Sequence, residues 1–233
     1  MLFSSCGGDD GNEDDGGTTV PETTTTAPDT TAGTEGSAPE LSGAEAEAEA
    51  AVLQTEDLPA GWEAKPDEES LDHETTWAAL LACGGIAGPG EGLAANASSS
   101  TFQTGVGTQV TSALSYYDSA ATVEALAEAF TADDFLACGE GALLDDVERN
   151  APPGATFSDL VVAPLEFPEL GETTVSYRIN GMIDIGPVTI PLFQDFIAVF
   201  DGDAVSRLNF LNPGGPFPED LQQTLVETVV GRA

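Results

Sequence analysis

One histidine, three cysteines and five basic residues stand among 41 acids in a chain of 233 residues. Few side chains are therefore available for chemistry. Asp72-His73-Glu74-Thr75-Thr76-Trp77 begins like a zinc-protease helix, in which two histidines four residues apart grip the metal. Trp77 stands where the second histidine belongs, and no other imidazole exists to complete the set. No G-x-S-x-G elbow supplies a nucleophilic serine for His73. Lys65 is not preceded by the glycines of a phosphate loop. His73 reads as an exposed loop residue, and neither a metal, a cofactor nor a catalytic group is expected. Paired carboxylates, as in glycosidases, remain as an enzymatic option, but with 41 acids no pair stands out.

Arg178 and Arg207 matter more, because each of so few bases has many carboxylates to choose from. Arg178 lies on the polar side of an alternating strand. If a helix covers that side, Arg178 needs a carboxylate and becomes a candidate ligand-binding residue. Otherwise it forms a surface ion pair worth little. Cys83 and Cys138 have two readings. In a small domain outside the cell such a pair usually joins, and closing a loop of that size contributes about 4 kcal/mol. Otherwise they are two buried thiols. A zinc site would need more soft ligands than two.

The elements that position these residues are clearest near the C-terminus. In residues 171–211, Val175, Tyr177, Ile179, Ile183 and Ile185 share one parity, while Thr174, Ser176, Arg178, Asn180 and Asp184 share the other. That period of two marks a strand with one buried face. Asp201-Gly202-Asp203 then joins two apolar runs, which is a hairpin signal. Upstream, residues 95–104 and 108–117 read as two strands around Gly105-Val106-Gly107. Residues 77–83 read as a helix ended by Gly84-Gly85, and residues 46–57 as a short helix. A helix capped by Asp118 or Ser119 carries the stripe Val123, Leu126, Ala127 and Phe130. Thr131 to Asp134 suggests a capping box for a short helix bearing Phe135 and Cys138. Gly139 and Gly141 should interrupt it before Leu143, Leu144 and Val147 resume the pattern. A strand at 157–165 precedes the long hairpins. Pro218-Glu219-Asp220 opens a last helix whose stripe is Leu221, Leu225 and Val229. The expected fold class is α+β: a curved antiparallel sheet of five to six strands with helices mainly on one face.

Composition divides the chain. Residues 1–50 hold twelve acids and no Lys or Arg, and too little apolar surface to offset the entropy of ordering. They read as a Thr-, Pro- and acid-rich tether, and residues 51–233 as a single domain with a real core. The acidic loop at 10–16 fails the EF-hand spacing and reads as a solvated run. The formal net charge of −36 repels phosphate backbones, so nucleic acid is excluded as a partner. No apolar run reaches the roughly 18 residues of a membrane helix.

Two short phrases carry resemblances. Leu2-Phe3-Ser4-Ser5-Cys6, followed by Gly7-Gly8-Asp9-Asp10, resembles the lipobox at the end of a bacterial lipoprotein signal. The resemblance implies a diacylglycerol thioether on Cys6 and a membrane partner reached through that anchor. Residues 1–6 are too short for a whole signal, so the expectation is that Met1 lies inside a longer one. Leu58-Pro59-Ala60-Gly61-Trp62 resembles a phrase near the start of actinobacterial secreted lipoproteins and receptor-kinase sensor ectodomains, the PknH-like extracellular family. That family implies an α+β ectodomain with disulfides in comparable regions, which supports joining Cys83 to Cys138. The function expected is a non-catalytic ligand-binding or sensor-type lipoprotein on the outer face of the cell membrane. Its partner would be a small ligand or an envelope protein. The alternatives are a carboxylate hydrolase of envelope glycan and a structural or assembly partner of another envelope protein.

Overall fold

The computed structural model describes residues 43–65, 73–86, 88 and 91–233. Cys6, the 10–16 loop and the Thr/Pro-rich tract lie outside the described residues. In chain order the elements are α1 (Gly43–Ala51), a 3-10 turn (Thr55–Asp57), β1 (Glu63–Ala64), α2 (His73–Cys83), β2 (Leu93–Ser98), β3 (Phe102–Thr104) and β4 (Thr108–Tyr117). They continue with α3 (Ala120–Thr131), α4 (Phe135–Arg149), β5 (Ala155–Pro164), β6 (Thr173–Ile185), β7 (Val188–Asp201), β8 (Ala204–Pro213) and α5 (Glu219–Val230).

The fold is α+β. One open antiparallel sheet runs in the order β1-β3-β4-β8-β7-β6-β5, and β2 pairs with β4. The meander from β5 to β8 follows chain order because each link is a hairpin. Tyr177 lies opposite Phe196 and Ile197 opposite Leu208. Gly202, at φ 56°, makes the tight turn between β7 and β8, where a side chain would be strained.

Among the described residues, eight strands replace the expected five to six, for a local reason. The stretch 95–104 is one strand by pattern, but Ser99 to Thr101 breaks it. The Ser99 N–H donates to the Ser112 carbonyl at 2.8 Å, and the Ser112 N–H donates to the Ser99 hydroxyl at 2.9 Å. β2 and β3 therefore pair separately with β4. β1, only two residues long, adds to β3.

Helices cover both faces rather than mainly one. Phe196, Ala198 and Phe200 of β7 meet a core shared with Trp77, Leu80, Phe130, Phe135 and Leu143 of α2, α3 and α4. Ile197 and Val199 point the other way, to Phe217 and to Leu225, Val226 and Val229 of α5. α1 sits over the same side, where Ala48 and Ala51 pack with Leu114 and Ala204. The five consecutive apolar residues 196–200 are the signature of a strand buried on both faces. The cleaner alternation in β6 reflects a strand nearer the edge.

Four local expectations change. The helix expected at 46–57 is α1, Gly43–Ala51, followed by a separate 3-10 turn at Thr55–Asp57, so the packed domain includes residues ahead of 51. α4 runs unbroken through Gly139 and Gly141. At Gly139 an added Cβ would lie 3.2 Å from Phe135 and 3.4 Å from Leu80, so this glycine lets α2 and α4 approach rather than ending a helix. Thr131 closes α3, its hydroxyl donating to the Ala127 carbonyl at 2.8 Å, and Asp134 is an N-cap without a side-chain bond. His73 is the first residue of α2, not part of a loop.

Candidate functional site

A cavity of about 460 Å³ opens between the end of α2, the end of β4 and the start of α3. Its volume falls in the range of small-ligand sites, roughly 300–1,000 Å³. The local sequence explains its walls. α2 ends where the Gly85 N–H donates to the Ala82 carbonyl at 3.0 Å and the Ile86 N–H donates to the Leu81 carbonyl at 2.9 Å. This pairing is the Schellman cap, which needs the positive φ of Gly85, +76°, and brings the flanking apolar residues together. Leu81 and Ile86 accordingly line the cavity side by side. Across from them stand Tyr117 at the end of β4 and Ala121, Ala125 and Leu126 on α3. Ser119 caps α3, its hydroxyl accepting from the Thr122 N–H at 3.3 Å.

The mouth is acidic. Glu91 and Asp118 line it, and the Thr122 hydroxyl donates to Asp118 Oδ1 at 3.1 Å. Gly92 leaves room for the Asp118 carboxylate, since an added Cβ there would meet Oδ1 at 2.9 Å, and the Asp118 backbone N–H donates to the Gly92 carbonyl at 2.7 Å. The Tyr117 hydroxyl is buried in the wall and meets no hydrogen-bond partner of good geometry among the described residues, although the Trp77 indole stands close to it. Burial pushes its phenol above the usual value, with Arg207 and Trp77 acting weakly against that shift and Glu74 adding to it. The hydroxyl stays neutral at physiological pH.

Three sets of contacts hold α2 in position above the sheet. Cys83 and Cys138 form a disulfide between α2 and α4. Asp146, fully buried on α4, accepts from the Thr76 hydroxyl, from Gln194 Nε2 at 2.7 Å and from Asn150 Nδ2 at 3.1 Å. This one carboxylate therefore joins α2, α4 and β7. Arg207 on β8 lies under α2, its guanidinium 4.6 Å from the centre of the Trp77 ring. Its Nη2 donates to Glu74, Asn96 and Ser115 at 3.1–3.2 Å. Burial pushes its pKa below the usual arginine value, opposed by the charge of Glu74.

The residues singled out from sequence are distributed rather than gathered. Cys83 and Cys138 come together and join α2 to α4. Arg178 lies on the opposite, α5 side of the sheet. Its Nε and Nη2 donate to Asp195 at 2.6 and 2.7 Å, and Gln222 Nε2 of α5 donates to the same carboxylate at 2.8 Å. The carboxylate that a covered Arg178 requires is thus its cross-strand neighbour. Leu81, Ile86, Tyr117 and Asp118 were not singled out as site residues. The Gly84-Gly85 helix stop was their only local signal. A second groove, about 310 Å³, is lined by Glu124, Glu128 and Glu172.

No protein-family model matches the chain, and no curated protein matches it. Among solved structures, the chain is similar to the crystal structure of the extracellular domain of PknH from Mycobacterium tuberculosis, with 10% identity and a TM-score of 0.34. The match covers 61% of this chain and 66% of that one, so the chain spans just under two thirds of that structure's length. A likeness at this level carries no argument about a site or an activity.

Proposed function

We propose that this chain is a non-catalytic, extracytoplasmic ligand-binding module that takes a small apolar molecule between α2, β4 and α3. The observation that carries the reading is the cavity itself: apolar walls, a shape set by a helix cap, and a polar rim. The Cys83–Cys138 disulfide supports an oxidising compartment. In this reading the residues ahead of α1 are a tether that displays the domain from a diacylglycerol anchor on Cys6 at the outer face of the cell membrane. Loss of lipid-precursor incorporation in Cys6→Ala checks the anchor.

The cavity is tested with a neutral solvatochromic dye such as Nile red. Saturable, blue-shifted emission is expected with the full chain and is lost in Ala125→Trp, which fills the cavity from α3. Unchanged thermal melting shows that the variant is folded. Binding that never saturates, or that ignores Ala125→Trp, contradicts the reading. A hydrolase reading would instead use the groove of Glu124, Glu128 and Glu172. Turnover of envelope glycan abolished by Glu128→Gln would favour it.

A further inference from the structure

The chemical class of the ligand follows from the charges around the cavity, and this step rests on the reading of the cavity as a ligand site. We propose that the ligand is a small amphiphile with an apolar body and a cationic head, an amine or a quaternary ammonium group. Ile86, Ala121 and Ala125, backed by the buried Leu81, Tyr117 and Leu126, offer the body an apolar surface it leaves water to reach. At the mouth, the Asp118 carboxylate accepts from the Thr122 hydroxyl, and Glu91 stands on the same rim.

Among the described residues, no lysine or arginine pairs with that rim. Of the five basic residues, Arg149 pairs with Asp146, Arg178 with Asp195, Arg207 with Glu74 and Arg232 with Asp57. Lys65 follows β1, which reaches β4 through β3 at Val110. Tyr117 lies seven residues further along β4, about 23 Å away at strand rise. The cation must therefore arrive with the ligand. An anionic head meets two carboxylates and the field of a chain with formal net charge −36.

The test is calorimetric titration of the full chain with three probes of one chain length: octyltrimethylammonium, octanol and octanoate. The cation is expected to bind at least about tenfold tighter than octanoate, with the gap narrowing as salt screens the rim. Asp118→Asn should weaken the cation about fivefold, the scale of one exposed ion pair, and leave octanol unchanged. Ala125→Trp should abolish binding of all three. If octanol and octanoate bind as well as the cation, the head-group assignment is wrong while the cavity reading stands. If none of the three binds, both are wrong. Cation binding that survives Ala125→Trp is adsorption to the acidic surface and also overturns the proposal.

Discussion

The two faces of the sheet are covered by different means. On the α5 face the helix lies down through largely apolar contact: Leu225, Val226 and Val229 against Ile197, Val199, Leu208 and Phe210, with the Phe217 ring tilted against Phe210 at 4.8 Å. One polar tie lies within that layer, Gln222 of α5 to the buried Asp195 and through it to Arg178, and the Arg232–Asp57 pair lies at its margin. On the α2–α3–α4 face, apolar packing is joined by discrete ties: a disulfide, the Asp146 cluster and the Arg207–Trp77 stack. Close packing alone tends to eliminate hollows. A helix layer fixed at separate points can keep one open at its margin, and the cavity lies there, just beyond the end of α2.

The disulfide offers the largest break in this contrast. Replacing Cys83 and Cys138 together with alanine should cost about 4 kcal/mol in chemical denaturation. Hydrogen exchange should quicken first in α2 and α4, while α5 stays protected. Equal acceleration on both faces would mean that the faces are not held independently.

A smaller effect separates two buried carboxylates. Asp146→Ala and Asp195→Ala should each cost about 3 kcal/mol, because each strands donors that had a charged acceptor. Only Asp146→Ala should also weaken the cavity ligand, since α2 carries Leu81. If Asp195→Ala, across the sheet, weakens it as much, the cavity does not depend on the ties beneath it.

The smallest effect is at the rim of the α5 side. Arg232 Nη1 donates to Asp57 Oδ2 at 2.9 Å. Burial raises the Asp57 carboxyl, but the Arg232 hydrogen bond, the Gln54 N–H and the Arg232 charge outweigh it, so its pKa lies below the usual value. The stabilisation is therefore complete above the ordinary carboxylate pKa and is lost as pH falls through the lowered one. Arg232→Ala should cost at most about 1 kcal/mol at neutral pH. That difference should vanish in acid, as followed by urea melts across the pH range. A difference that persists in strong acid would remove Asp57 from the account.

Much of this architecture was legible because it is local. The parity of Val175, Tyr177 and Ile179 gave β6, and Asp201-Gly202-Asp203 gave the β7–β8 turn. The stripe Val123, Leu126, Ala127 and Phe130 gave α3, with all four residues buried. What sequence left hidden depends on distant partners. Gly139 looks like a helix breaker until Leu80 is seen against it. Asp146 is one acid among 41 until Gln194 and Thr76 reach it. The cavity has the same character: Leu81, Ile86, Tyr117 and Leu126 each read as ordinary core, and only their arrangement leaves a space.

The central claim is that this space, on this face, takes the ligand. Amide chemical shifts of the full chain, followed during titration with octyltrimethylammonium, test it most directly. The account predicts saturable shifts concentrated at Leu81, Ile86, Tyr117 and Ala125, with Gln222 and Leu225 on α5 unmoved. Shifts centred on α5, or spread evenly over the acidic surface, would contradict it.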